Sequence, residues 1–423
     1  MVDDPRNKTH TARYTERNLC FVSAILVTGG SDNQIFSICI RLQKLGYGIT
    51  IYSQLPPTKY GSKKDVFIEN GIRVRHPPAF LKPVIFALGC LRYFPSMAVQ
   101  FVCLSPHQRW RLRSYRNIHR RIDEEFCRNI YNFILVFRIR LGNFLEHYRL
   151  ICAYHSSTYK ALYQLRAILG IPVFYTEISS PQFRAENSLA ERNTARYINS
   201  FDRIFVPSSV IGEELVRCED LKKPFDVIPF FINLPPFDYQ PPKKPARTFG
   251  ILARLSREKN HDILIRACAE VRKKIPDAQL IFFGNGPQER EYRQLAEDMG
   301  LSDCVSFFGP YQRIEDAINR IDIITLCSDV EGMPLSLLEA LYFGKPIIAT
   351  PVGSVPDMVI HNVNGFIVRK HSVSDIADSV ISIMCDQELF RNMSRNSREL
   401  YATSFDADAQ FEKMLGQIEN ACK

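Results

Sequence analysis

The sequence predicts an α/β protein built from two doubly wound parallel-sheet domains. Three observations carry that reading. Short apolar runs alternate with helix-periodic stretches twice along the chain. The 423 residues exceed one typical core. A proline-rich, aperiodic stretch from Pro235 to Arg247 separates the two series. The expected division is a polar tail over 1–18, a first domain over 19–234, a linker over 235–247, a second domain over 248–400 and a helical segment over 401–423.

The elements follow in order. "FVSAILV", Phe21 to Val27, is a strand candidate, followed by a glycine-bearing loop and an amphipathic stretch to Leu45. Further strand candidates are "ITIY", "IRVR", "LICAY", "PVFYT" and "RIFVP". In the second half "FGILA", "QLIFFG", "VSFFG", "IITLC" and "PIIAT" alternate with helical stretches. Leu264, Cys268, Val271 and Ile275 form one apolar face at helical spacing. In such sheets ligands bind beyond the carboxyl ends of the strands.

Composition narrows the class. Hydrophobic residues make up 46% and charged residues 23%, which is ordinary for a globular protein. The first eighteen residues lack an apolar run, so no signal peptide is expected. The most apolar stretch near the start, Val84 to Leu91, is too short to span a bilayer. Twelve cysteines show no C-x-x-C pair and no Cys/His cluster, which argues for reduced thiols in the cytoplasm and against a zinc site. A net charge of +9 suits an anionic partner without choosing one.

Candidate site residues cluster after two strands. In "FGILARLSREKN", Arg254 and Lys259 stand at a strand's carboxyl end, where Arg as a fork and Lys as a point charge can clamp a diphosphate. In "EGMPLSLLEALYFGKPIIATPVG", Glu331 precedes a helix start and Glu339 lies within the helix. Pro334 fits the first helical position. Free N–H groups there can meet an anion or sugar hydroxyl. A carboxylate can hold a ribose diol. On the two glutamates alone, an exposed loop Glu331 and a surface Glu339 are the favoured readings, and Arg254 and Lys259 also read as solvated basic side chains.

Several motifs then occur in one order: "ARLSREKN", "FFGNGP", "EGMPLSLLEALYFGKPIIATPVGSVPDMV" and "NGFIV". This resembles the retaining glycosyltransferases of the GT-B fold that carry an E-x7-E motif, the group 1, family 4-like enzymes. "VIPFFIN", "LVTGGSDNQIFSICIRLQKLGYGITIY" and "AYHSST" resemble their segments more loosely, and the likeness is weak from about Pro77 to Arg149. Phe231 stands where the family usually has Gly, and Asp357 where it often has Glu.

The resemblance implies two Rossmann-like domains facing across a cleft, with the C-terminal segment packing back on the first. It implies a metal-independent hexosyltransferase that takes a nucleotide-sugar, a UDP-linked donor first, as co-substrate. No cofactor and no metal are expected. Arg254 and Lys259 would bind the donor diphosphate, and Glu339 the ribose. Glu331, Gly332, Met333, Pro334 and Leu335 would bind the transferred sugar. Gly30 would let backbone approach the phosphates. His155 would meet the sugar near the reaction centre, although a lone His at a strand end is also commonly structural. The acceptor would be a glycan or lipid-linked hydroxyl, as in polysaccharide biosynthesis.

Other features weigh against or beside this. "GNGP" does not extend to a dinucleotide fingerprint, and Asp406 to Asp408 reads as helix capping rather than a metal pair. "RWRLRSYRNIHRR" places Arg109, Arg113, Arg116 and Arg120 on one helical face, either a solvated helix or a peripheral contact with an anionic membrane. No nucleic-acid module is visible. A nucleotide-sugar epimerase would act without an acceptor, and a non-catalytic binding protein would bind without turnover.

Overall fold

The computed structural model describes residues 17–23, 30–54, 64–77, 112–186 and 194–422. The chain forms two compact units. The first holds Met1–Thr176, Glu191–Ile204 and Gln417–Lys423, and the second Glu177–Ala190 and Phe205–Gly416. The proline-rich stretch 235–247 thus lies inside the second unit, and the end of the last helix, Ala407–Cys422, is grouped with the first.

Two sheets match the expected fold class. The seven-stranded sheet is formed by β1 (Asn18–Ser23), β2 (Gly48–Ser53), β3 (Arg73–Arg75), β4 (Leu150–Tyr154), β5 (Val173–Thr176), β6 (Arg203–Val206) and β7 (Asp226–Val227), in the order 3-2-1-4-5-6-7. The six-stranded sheet is formed by β8 (Thr248–Leu252), β9 (Gln279–Phe283), β10 (Val305–Phe307), β11 (Ile323–Leu326), β12 (Ile347–Ala349) and β13 (Gly365–Ile367), in the order 10-9-8-11-12-13. Strand order reverses between β1 and β4 and between β8 and β11, so each sheet has a switch point there.

Buried parallel strands read as continuous apolar runs, and β1, β4, β5 and β11 are buried along their length. The predicted helical face is realised: Leu264, Cys268 and Val271 are fully buried on the helix His261–Lys274, and Ile275 nearly so. The strand expected over Phe21 to Val27 instead runs Asn18–Ser23, and residues 24–29 lie outside the described ones. Polar Asn18 enters the sheet because its carbonyl accepts from Arg149 N at 2.8 Å and its side-chain amide donates to Glu146 O.

Glu146 also closes a 35-residue helix, Leu112–Glu146. Its carboxylate accepts from Thr50 Oγ1 and Tyr148 Oη, both at 2.6 Å, and from Arg75 Nη2 at 2.5 Å. Burial pushes this carboxyl up, but the bonds from Thr50, Tyr148 and Arg75 outweigh it and hold it below its ordinary value. Tyr131, Leu135 and Ile139 form the helix's buried face. Arg113, Arg116 and Arg120 lie on this helix, and Arg109 lies outside the described residues.

Candidate active site

The second unit builds a polar centre at its switch point. The loop after β8 carries Arg254, then a short 3-10 turn over Arg257–Lys259. Asn260, at φ 51°, joins this turn to the helix His261–Lys274, a backbone state that Asn tolerates better than most residues. Its side chain donates to Cys327 O at 2.9 Å and Asp329 Oδ1 at 2.8 Å, and Asp329 N donates to Glu258 O at 2.9 Å. The loops after β8 and β11 are therefore laced together.

That lacing brings the cations to carboxylates. Lys259 Nζ lies 2.5 Å from Glu331 Oε1, with both side chains largely buried. The Ser328 hydroxyl donates to the same Glu331 oxygen at 2.7 Å. Arg254 Nη2 lies 2.8 Å from Glu258 Oε1, and the Arg254 side chain is 68% exposed. Burial pushes the Glu258 carboxyl up, but the Ser256 hydroxyl and the Arg254 guanidinium outweigh it and hold it below its ordinary value.

The Glu331 loop is pinned on two backbone sides. A Cβ on Gly332 would stand 2.4 Å from Ile178 O, and one on Gly353 would stand 2.3 Å from Glu331 O. Gly353 also has φ 54°, a left-handed state that favours glycine. Ser354 N donates to Gly332 O at 2.8 Å, and Phe230 N donates to Met333 Sδ at 3.1 Å. Thr350 Oγ1 holds Ser328 O at 2.7 Å.

Pro334 is the N-cap of the helix Leu335–Tyr342 rather than its first helical residue. Its carbonyl accepts from Leu337 N at 3.1 Å, a bond the proline ring leaves untouched. Glu339 is no surface residue. It is buried on this helix, and Tyr311 Oη donates to its Oε2 at 3.3 Å. Burial and the neighbouring Glu339 carboxylate both push the Tyr311 hydroxyl well up, so it stays a donor.

A buried ionic cluster supports Ile178. Glu177 is fully buried, and its carboxylate accepts from Ile178 N and Ser179 N, both at 2.9 Å. Arg184 Nη2 reaches Glu177 Oε2 at 2.8 Å and Glu219 Oε1 at 2.6 Å. Burial pushes the Glu177 carboxyl up, but Arg184 outweighs it and holds it below its ordinary value.

The predicted residues divide between the units. Arg254, Lys259, Glu331, Gly332, Met333, Pro334, Leu335 and Glu339 lie together in the second. Gly30 and His155 belong to the first. Gly30 opens the helix Gly30–Lys44, and His155, at φ 80°, follows β4. The segment packed on Gly332 is Ile178, one strand later than His155. Sequence reasoning missed Glu177, Ile178, Arg184, Tyr311 and Ser328. The acid in "TEISS" after a buried strand was the available signal for the first. Asp406 Oδ1 accepts from Asp408 N and Ala409 N, at 3.1 and 3.0 Å, so Asp406 caps the last helix and Asp408 lies in its first turn.

Residues 237–400, less than half of the chain, match the family described as glycosyl transferases group 1. The chain is similar to N-acetyl-alpha-D-glucosaminyl L-malate synthase of Bacillus anthracis, 31% identical over 156 residues, 37% of this chain and 40% of that one. It is also similar to the GDP-mannose-dependent alpha-(1-6)-phosphatidylinositol monomannoside mannosyltransferase of Mycobacterium tuberculosis, 31% identical over 176 residues, 40% of this chain and 46% of that one. The matches span less than half the length of these curated relatives. Among solved structures, HepE of Anabaena in complex with UDP and glucose superposes with a TM-score of 0.69 at 18% identity, covering 95% of this chain and 99% of that one. Sucrose-phosphate synthase of Thermosynechococcus elongatus gives 0.71 at 18%, covering 96% and 98%. These likenesses show the GT-B fold.

Proposed function

We propose that the protein is a retaining, metal-independent glycosyltransferase that moves a hexosyl group from a nucleotide-sugar to an acceptor hydroxyl. The observation that carries this reading is the Lys259–Glu331 pair at the head of the helix that bears buried Glu339. In the reaction the bond from the anomeric carbon to the diphosphate oxygen breaks, the electron pair leaves on the nucleoside diphosphate, a bond to the acceptor oxygen forms, and the acceptor proton passes to the departing diphosphate or to water. Charge gathers on the diphosphate, where Arg254, Lys259 and the helix N–H groups stabilise it. Glu339 holds the ribose hydroxyls and Glu331 the sugar.

A UDP-linked sugar is the first donor to test, supported by the UDP complexes of structural neighbours. The curated mannosyltransferase relative is GDP-mannose-dependent, so GDP-mannose belongs in the same screen. A glycan or lipid-linked acceptor is supported by that relative's phosphatidylinositol monomannoside and by the alpha-GlcNAc-glycerol in a TarM complex. The stretch with Arg109, Arg113, Arg116 and Arg120 supports peripheral contact with an anionic membrane on its cytoplasmic side.

The test is protection against thermal unfolding by a panel of nucleotide-sugars, since a bound donor stabilises by mass action. Product analysis follows, with and without acceptor and with and without chelator. Transfer to acceptor with the anomer retained, unaffected by chelator, supports the reading. A rearranged sugar made without acceptor would indicate an epimerase, binding without turnover a non-catalytic protein, and chelator inactivation a metal requirement.

A further inference from the structure

The helix Leu112–Glu146 is apolar on two opposite sides. One side is accounted for: Tyr131, Leu135 and Ile139 are buried, and Gly142 with them. The other side is not. Phe133, Phe137, Leu141 and Phe144 are 71%, 61%, 55% and 77% exposed. At about 100° per residue these four fall within about 100° of helix surface, with exposed Arg140 among them. Leu145 flanks the row and is half exposed. A scattered exposed apolar residue is ordinary, but a row of three phenylalanines and a leucine on one helix is an interaction surface.

The charge pattern selects the occupant. From Phe126 to Leu145 the sequence contains Arg128, Arg138 and Arg140 and no acidic residue; Arg138 turns to the buried Tyr52 ring, and Arg140 is exposed beside the row. A second copy of this face would bury Arg140 with no carboxylate to meet it. An anionic lipid surface satisfies both parts. Phenylalanine and leucine side chains enter the acyl boundary while arginines stay at the phosphates. Among the described residues no helix is long and apolar enough to cross a membrane, so this helix would lie along the surface.

We propose that Phe133, Phe137, Leu141 and Phe144 form a lipid-inserting face that seats the protein on an anionic membrane, with Arg140 at the headgroups. This deepens the membrane reading above, which rests on Arg109, Arg113, Arg116 and Arg120, and it does not depend on sugar transfer. It adds a hydrophobic anchor to an electrostatic one, the pairing that stable peripheral binding requires.

The test is partition of the full chain onto phosphatidylcholine–phosphatidylglycerol vesicles and onto pure phosphatidylcholine. Wild type should favour the anionic vesicles. Changing Phe133, Phe137 and Phe144 together to Ser should lower partition by about a thousandfold, since each buried phenylalanine accounts for roughly tenfold. The variant's thermal unfolding should stay cooperative, because these side chains are exposed. A second variant covers the case of misfolding: Phe144→Trp in a Trp110→Phe background, Trp110 being the one native tryptophan. Its emission should be quenched by brominated acyl chains.

Undiminished partition of the triple variant, alongside loss in an Arg→Gln variant of the basic stretch, would overturn the insertion face and leave electrostatic contact standing. Wild type that ignores both vesicles would overturn the membrane reading itself. A wild-type dimer made monomeric by the triple substitution would assign the face to a second copy instead.

Discussion

Lys259 and Glu331 share one ion pair at 2.5 Å, and it is the Glu331 oxygen already held by Ser328 that takes the lysine. On the proposed reading, in which Lys259 takes a donor phosphate, Glu331 competes with that phosphate for it. Glu331→Gln weakens that competition. The variant should bind nucleoside diphosphate about three- to tenfold more tightly, a fraction of the value of a charged hydrogen bond. Its turnover should fall, because the sugar loses its carboxylate. Titration calorimetry beside steady-state kinetics checks both. Weaker diphosphate binding would show that Glu331 assists the phosphate site.

The two cations should not be equivalent. Arg254 is exposed and tied to Glu258, whereas Lys259 is largely buried. Arg254→Ala and Lys259→Ala should each weaken diphosphate binding tenfold or more, with the fold intact for Arg254. Lys259→Ala should also lower thermal stability, because it strands a buried carboxylate. Unchanged isotherms for both would refute the diphosphate clamp.

Tyr311 should report on the ribose site. It donates to buried Glu339 at 3.3 Å. Glu339→Gln should weaken binding of free nucleoside diphosphate, and Tyr311→Phe should do so by several-fold, about the value of one neutral-to-charged bond. A deoxyribose diphosphate should lose little further in Glu339→Gln. If that analogue and the ribose form lose equally, Glu339 does not hold the diol.

Arg184 carries the support beneath the loop. It neutralises Glu177 and Glu219, both buried, and Glu177 fixes the N–H groups of Ile178 and Ser179. Arg184→Ala should cost about 3–5 kcal/mol of stability, the usual result of stranding a buried charge. Arg184→Lys should recover part of this. Because Ile178 O packs on Gly332, Gly332→Ala should lower turnover more than stability. Chemical denaturation and kinetics separate the two effects.

His261 gives a pH signature. It is fully buried, with its ring stacked on Tyr292 at 5.2 Å, and burial followed by the nearby Lys259 pushes its pKa down from 6.5 to about 4. Below pH 6.5 the unfolded chain takes up a proton that the native chain refuses until about pH 4. Stability from this group is therefore complete above pH 6.5 and is lost as pH falls through that window, by about 3 kcal/mol in all. His261→Phe should remove that slope. Denaturant midpoints measured across the window check it, and an unchanged slope would exclude His261 as its source.

The sequence by itself determined the class of fold. Alternation of buried apolar runs with helical periodicity leaves few arrangements other than parallel sheets with switch points, so β8, β11 and β12 were legible, as were Arg254, Lys259, Glu331 and Glu339. Tertiary structure decided what those residues touch. No local pattern says that Glu339 is buried under Tyr311, 28 positions earlier, or that Lys259 meets Glu331, 72 positions later. The same holds for Ile178 against Gly332 and for Arg184 against Glu219. Such pairs are made by adjacent strands delivering distant loops to one end of a sheet. The long helix shows the reverse limit. Its row of phenylalanines was present in the sequence, but only packing separated the face that Tyr131, Leu135 and Ile139 bury from the face that stays exposed. Periodicity assigns residues to sides of a helix, and the neighbouring elements decide which side is covered.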